Sequence, residues 1–349
     1  MAATMSDVAA RAGVSVKTVS NFFNGYRYMS DETRARVEAA VAELDYRMNR
    51  SARALRSGRT RMIALVLPEL DNSYFSELAQ EVVDAAGEHG LTVMVETTRG
   101  CRERELAAVS GAAGQVVDGA VLSPVTLGPE DAGLVDPAFP LVVIGERLVE
   151  ELGDHVLIAD LEVARTAVRH LVAQGRRRIV LLGTNDLPEP RGAALRQRGA
   201  QEALVEAGLG VDPELALEVA AWHRQDGADA ISGLLDRGVA FDAVFGFNDA
   251  LALGAQWALQ RRGLVVPDDV AVVGVDDTAD GRFAQPPLTT ISPGRQSIAR
   301  LSVDLLVRRI EGGTPASGFS TIITEHELVV RGSSVVASSD RPPARVSRA

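Results

Sequence analysis

The chain has 349 residues, 46 % of them hydrophobic, which is enough for two or three domains and a sizeable buried core. Its single cysteine, Cys101, excludes an internal disulfide and fits a reducing compartment. The net charge of −11 hides an asymmetry, because residues 1–61 hold 11 Arg or Lys against 6 Asp or Glu, whereas the remainder holds 25 against 41.

A small basic segment on an acidic chain points to nucleic acid, although a solvated basic surface has the same charge. The start carries no apolar run of signal-peptide length. No uncharged apolar stretch approaches the roughly 18 residues of a membrane helix. A cytoplasmic protein with no membrane partner is expected.

The first element opens on Thr4-Met5-Ser6-Asp7, a capping-box pattern with Thr4 as N-cap and Asp7 at the third helical position. Val8, Ala9 and Ala12 give this helix one apolar face. Gly13 suits the left-handed backbone of a tight turn. Ser15 can cap a second helix, "SVKTVSNFFNG", with Val19 and Phe22 or Phe23 facing the first. Lys17 and Asn21, four apart, share its other face. Two short helices joined by a glycine turn form a helix-turn-helix unit, whose second helix enters the DNA major groove. Ser30 caps a third helix, with Asp31 and Glu32 in the first turn, where the helix dipole favours acids. Val37, Ala40, Val41 and Leu44 form its inner face. An unrelated three-helix bundle is the alternative, disfavoured by the glycine and the two serine caps. Next comes "NRSARALR" at 49–56, too short for a stable isolated helix. By composition alone it reads as an arginine-rich linker ending at Ser57-Gly58.

From Arg61 strand-like runs alternate with helical patterns. "MIALVL" at 62–67 precedes a helix over 73–88, and "LTVMVET" at 91–97 precedes one near 102–114. "DGAVLS" and "PLVVIGE" follow. The pattern restarts with a helix over 161–173, then "RRIVLLG" at 177–183 and a helix near 192–207. The strand "DAVFGF" at 242–247, a helix to about 262 and "VAVVGVDD" complete the series. Continuous apolar strands alternating with helices imply parallel sheets covered on both faces. Two series imply two α/β lobes, with ligands beyond the carboxyl ends of the strands and in the cleft between lobes.

Polar and aromatic residues collect at those strand ends. Asp71, Asn72, Tyr74 and Phe75 follow the first strand, and Glu146 and Arg147 follow "PLVVIG". Asn248 and Asp249 follow "DAVFGF", and Asp276 and Asp277 follow "VAVVGV". Asp160, Arg196 and Trp222 belong to the same group. Asp160 and Asp249 have two readings, as ligands or as helix caps.

No catalytic residues, cofactor or metal site are expected. The five histidines are scattered, and none has zinc-like spacing with another histidine or Cys101. There is no G-x-S-x-G elbow and no P-loop. Asp276 and Asp277 are adjacent, whereas glycoside hydrolysis needs acids on opposite sides of the bond.

"MSDVAARAGVSVKTVSNFFNG" followed by "MSDETRARVEAAVAELDYRMNRSARALRSG" resembles the DNA-binding headpiece of the LacI/GalR family of bacterial transcription regulators. The resemblance runs through about residue 331. It implies an all-α helix-turn-helix headpiece at 1–48 and a hinge helix and linker at 49–61. A two-lobed, periplasmic-binding-protein-like α/β domain at 62–331 would bind effector and dimerise. Residues 332–349, rich in Ser, Pro and Arg, are expected to be disordered.

The resemblance also implies roles. Val16, Lys17 and Asn21 would read base edges: Val16 against a thymine methyl, Lys17 on guanine, Asn21 on adenine. Many family members carry arginine at the Asn21 position, so the operator need not be the common one. Ser15, Thr18 and Asn24 would contact phosphates. Ala52 and Leu55 match the hinge residues that enter the minor groove, Leu55 as a wedge. Asn72, Tyr74, Phe75, Arg147, Arg196, Trp222, Asn248 and Asp276 match effector-contacting positions. Glu146 stands where aspartate is usual, and Pro293 where a polar side chain often meets ligand. "PPLTT" at 286–290 matches a family crossover segment.

The expected function is a repressor that binds palindromic operator DNA as a homodimer under control of a small effector, a sugar. Alternatives are a regulator of the same fold that answers to a nucleobase or a protein partner, a sugar-binding receptor, or an enzyme. Asn21→Ala should cost about 1–3 kcal/mol of operator binding and relax preference at one base pair per half-site. Binding-site selection with both proteins measures this, and unchanged preference at every position would remove Asn21 from the reading set.

Overall fold

A computed structural model describes residues 3–23, 26, 28–46, 59–110, 116–145, 152–184, 192–312 and 318–335. The chain forms two compact units, Met1–Thr60 and Arg61–Ala349. In the first, α1 (Met5–Ala12), α2 (Val16–Phe23) and α3 (Asp31–Glu43) enclose a small core of Val8, Ala9, Ala12, Val19, Val37 and Ala40. The capping box closes α1: Asp7 N donates to Thr4 Oγ1 at 3.3 Å and Thr4 N to Asp7 Oδ2 at 2.8 Å. Gly13 ends the helix at φ 64°, which a side chain would disfavour. Ser30 caps α3 by accepting from Thr33 N. Arg11 pairs with Glu43 at 2.6 Å, fastening α1 to α3 at the surface.

The second unit has two six-stranded sheets. The first lobe orders its strands β11-β5-β4-β3-β1-β2, all parallel. They are β1 (Met62–Leu67), β2 (Thr92–Thr97), β3 (Ala120–Leu122), β4 (Leu141–Gly145), β5 (Asp154–Leu157) and β11 (Thr321–Ile323). The second lobe orders β12-β10-β9-β8-β6-β7. These are β6 (Ile179–Thr184), β7 (Ala216–Glu218), β8 (Ala243–Gly246), β9 (Ala271–Val275), β10 (Thr289–Ser292) and β12 (Glu327–Val329). Helices α4 (Ser73–Glu88), α5 (Arg102–Val109) and α11 (Arg295–Ile310) cover the first sheet. Helices α6 (Asp160–Ala173), α7 (Gly192–Glu206), α8 (Arg224–Asp236), α9 (Asp249–Arg261) and the short α10 (Ala279–Phe283) belong to the second. Apolar runs such as "MIALVL" are buried because helices lie on both sides of the sheet.

The chain passes between lobes near 158–160, 293–295 and 323–327. "PPLTT" is therefore no crossover. It leads into β10 within the second lobe, and the passage comes after Ser292. The second sheet is also mixed, since the edge strand β12 runs antiparallel to β10. Strands β11 and β12, three residues each, carry too little pattern to be read in sequence. The helix expected over 102–114 ends at Val109, with Ser110 in extended backbone. The packed chain continues past residue 331. Ser333 Oγ donates to Val272 O at 2.6 Å and accepts from Thr289 N at 2.8 Å, and both Ser333 and Ser334 are fully buried.

Helices α8 and α9 approach through reciprocal glycines. A Cβ on Gly254 would lie 2.0 Å from Arg224 O, and one on Gly227 would lie 2.3 Å from Leu251 O. Among the described residues, no helix is long and apolar enough to cross a membrane. Gly254→Ala should lower stability by about 1–3 kcal/mol through overpacking. Gly233→Ala in α8, whose Cβ would meet only Arg237 Nη1 at 3.8 Å, should instead stabilise by about 0.5–1 kcal/mol. Urea unfolding of the two variants would measure the contrast.

Candidate functional site

On α2 the apolar side is committed to the core: Val19 is fully buried, and Phe22 and Phe23 pack beside it. The other side stays open. Val16 is 38 % exposed, Lys17 is exposed and Asn21 is half-buried. Ser15 Oγ accepts from Thr18 N at 3.1 Å and lies 2.9 Å from Thr18 Oγ1, so these two hydroxyls start the helix. Asn24, Ala52, Leu55, Glu146 and Arg147 lie outside the described residues.

The larger unit contains a cavity of about 1000 Å³ between the carboxyl ends of its two sheets. Asn72, Tyr74 and Phe75 enter it from the first lobe, and Arg196, Trp222, Asn248 and Asp276 from the second. Seven of the eight predicted effector residues thus share one cavity. Pro293 is not among its lining residues, and its carbonyl accepts from Thr324 Oγ1 at the crossover.

Several of these side chains also hold the scaffold. Asn72 caps α4 by accepting from Tyr74 N at 3.1 Å. Asn248 caps α9 by accepting from Leu251 N at 2.8 Å, and its Nδ2 donates to Trp222 O at 3.0 Å. That second bond ties the Trp222 loop to the end of β8. Tyr74 and Phe75 meet edge to face, with centroids 5.3 Å apart.

Arg196 is the most buried charged side chain among the described residues lining the cavity, 1 % exposed. Its Nε donates to Asp160 Oδ1 at 2.7 Å, and its Nη1 donates to Phe247 O. Its Cζ lies 5.4 Å from the Trp222 ring centroid, a cation–π arrangement. Burial pushes the Asp160 carboxyl upward against the opposing pull of Arg196. Its Oδ2 is buried without a hydrogen-bond partner among the described residues. Asp160 is therefore neither the cap of α6, a place held by Ala159, nor a lining residue of the cavity. It is the counter-ion of Arg196.

Asp249 likewise matches neither sequence reading. It is fully buried, and Thr278 N, Thr278 Oγ1 and Thr290 Oγ1 donate to it at 2.8, 3.0 and 2.6 Å. Burial raises its pKa to about 7, opposed by those hydrogen bonds. The loop it anchors contains Asp276 at φ 120° and Asp277 at φ 51°, conformations that L-residues rarely adopt. Each is expected to cost about 1–3 kcal/mol, which the surrounding contacts must over-determine. The two aspartates diverge: Asp276 lines the cavity, and Asp277 pairs with Arg331 and Arg282.

The sequence reading missed Glu69, Thr97, Arg99, Ser123 and His223, which also line the cavity. Glu69 Oε2 and His223 Nε2 lie 2.9 Å apart and join the lobes although they are 154 positions apart in the chain. Glu69 raises the His223 pKa, and Asp226 and Asp71 add to the effect. Glu69, Asp71 and His223 offer ligand atoms within 4.8 Å of one another, a grouping of metal-ligand type. The Glu69–His223 hydrogen bond already accounts for two of the three groups.

A helix-turn-helix unit joined to a two-lobed cleft is the build of a ligand-responsive DNA-binding protein. Residues 4–49 match the bacterial regulatory proteins of the lacI family, and 168–334 match a periplasmic binding protein-like domain. The ribose operon repressor of Haemophilus influenzae is 31 % identical over 331 residues, covering 95 % of this chain and 98 % of that protein. The transcriptional repressor CytR of Escherichia coli is 32 % identical over 335 residues, covering 95 % and 96 %. Among solved structures, a LacI-family regulator from Sanguibacter keddieii is 45 % identical with TM-score 0.73, covering 79 % of this chain and 99 % of that one. The lac repressor dimer bound to operator and an anti-inducer is 29 % identical with TM-score 0.80, covering 96 % and 100 %. The chain belongs to the LacI family of bacterial regulatory proteins, and its function is that of a DNA-binding transcriptional regulator.

Asp160→Ala should cost about 3–5 kcal/mol, because it leaves the Arg196 charge buried without its counter-ion. The chain has two tryptophans, so Trp257→Phe makes Trp222 the sole reporter. In that background the substitution should move Trp222 emission to longer wavelength as the guanidinium loses its place over the ring. An unchanged spectrum and unfolding midpoint would show that the pair does not hold this corner.

Proposed function

We propose that the protein is a repressor that binds a palindromic operator as a homodimer, with a sugar in the interlobe cleft setting its affinity for DNA. The observation that carries the effector reading is the cavity itself. About 1000 Å³ lies between both lobes and is lined by amides, carboxylates, a buried guanidinium and aromatic rings. Trp222 would cover the carbon face of the sugar. Asp276, Arg196 and Asn72 would serve its hydroxyls, with Tyr74 and Phe75 closing the first-lobe side. Asn248 would act through Trp222, and Arg147 would complete the lining.

Support also comes from relatives. They include ribose operon repressors, 31 % and 33 % identical, and the regulator CelR, solved in complex with cellobiose, is 32 % identical over 95 % of this chain with TM-score 0.69. In the headpiece, Val16, Lys17 and Asn21 would read bases, and Ser15, Thr18 and Asn24 would hold phosphates. Residues 49–61 would form the hinge, with Leu55 and Ala52 at the central minor-groove step. Two-fold symmetry of the dimer would require inverted half-sites. A regulator of this kind works beside the chromosome, in the cytoplasm.

Asp276→Ala should weaken sugar binding roughly 10- to 100-fold, the loss of a hydrogen-bonded charged group, while operator binding without sugar is retained. The variant should lose its sugar response in either direction, because an effector acts only through unequal affinity for two states. Calorimetry against mono- and disaccharides, nucleobases and nucleosides, followed by operator binding with each hit, tests this. A nucleobase as the sole hit would replace the sugar. No hit with operator binding intact would favour a protein partner.

A further inference from the structure

Arg295 is the first residue of α11, immediately after the second passage between lobes. Its Nη1 donates to Asp276 O at 3.0 Å, and Asp277 O lies at 3.5 Å. Its Nη2 pairs with Glu77 Oε2 at 2.6 Å. Glu77 belongs to α4 in the first lobe, and its other oxygen accepts from Ala279 N of the second lobe at 2.9 Å. One carboxylate of the first lobe therefore grips the 276–279 segment twice, directly at Ala279 and through Arg295 at Asp276. Asp249 holds the same segment from inside the second lobe.

We infer that Arg295 and Glu77 are positioning residues that keep the strained Asp276 backbone in its ligand-facing form and tie that loop to the first lobe, so that effector capture changes the relation of the lobes. The role rests on the reading that Asp276 holds the effector. Three features support it. Both side chains are largely screened from solvent, 14 % and 25 % exposed, so the ion pair is not a free surface contact. The planar fork of arginine can bind a carbonyl and a carboxylate at once, which a lysine ammonium cannot do with the same geometry. Asp276 and Asp277 both have positive φ, and the carbonyls of both lie within reach of Arg295 Nη1, so the arginine braces the strained stretch directly. The pair does not touch the cavity, since neither residue lines it. It acts through the loop.

The test uses the full-length protein with Glu77→Gln, Arg295→Gln and Arg295→Lys. Glu77→Gln preserves size and an acceptor, so loss of the fold is readily separated by a thermal melt from loss of the tie. Hydrogen exchange of the sugar-free protein is the first readout. Amides at 276–281 should exchange about tenfold faster or more in both Gln variants, with Arg295→Lys between them and wild type. Operator binding is the second readout, on a duplex selected with the wild-type protein, with and without the best binder among ribose, glucose, galactose and cellobiose. The ratio of the two affinities should fall about fivefold or more in the Gln variants. The Glu77→Gln/Arg295→Gln double variant should do little more than either single change, because both break one connection. Unchanged exchange at 276–281 overturns the inference whatever the sugars do. Faster exchange with an unchanged affinity ratio overturns the coupling role. If the wild type binds none of these four, the affinity ratio is measured with the hit from the wider calorimetric panel, and a ratio unchanged in the Gln variants overturns the coupling role.

Discussion

Arg196 sets the terms for the rest of the cleft. A guanidinium buried to this degree is tolerated only with a counter-charge and hydrogen-bond acceptors around it. Asp160 at the start of α6, Phe247 beyond β8 and the Trp222 ring supply them. These partners come from three parts of the second lobe and include the residue where the chain has just crossed from the first. Satisfying one charge therefore fixes the crossover, the mouth of β8 and the aromatic wall of the cavity together.

A second buried acid performs the same service for another part of the second-lobe wall. Asp249 collects three donors from the 276–290 region, and their geometry keeps Asp276 in a backbone conformation it would not choose alone. The cleft is thus lined by side chains whose own supports are buried and polar. This is the form expected of a pre-organised site, in which rotamers are locked before a ligand arrives. The interlobe contacts of Glu69 with His223, and of the Glu77–Arg295 pair with the 276–279 segment, add a further property. Both join the two lobes, so a change in lobe angle would be felt at them.

The headpiece follows a different logic. Its core is six small apolar residues, and its helices are defined by caps and a glycine turn more than by burial. Local chemistry of that kind is what leaves one side of α2, with Val16, Lys17 and Asn21, open for another molecule.

Much was therefore readable from the chain alone. The Thr4–Asp7 box, Gly13, Ser30 and the apolar runs of the strands act within one turn or one strand, so spacing reveals them. The strand-end positions of Asn72, Trp222 and Asp276 were readable because parallel α/β lobes expose ligand at that end of the sheet. Tertiary structure alone decided the rest. It made Asp160 a counter-ion and Asp249 a loop anchor where sequence offered cap or ligand. It carried the chain back through β11 and β12, short strands whose place depends on sheets built from distant segments. It brought His223 to Glu69 and set Arg295 and Glu77 against the 276–279 segment, pairings that leave no local pattern because the groups meet only after both lobes have closed around three crossings of the chain.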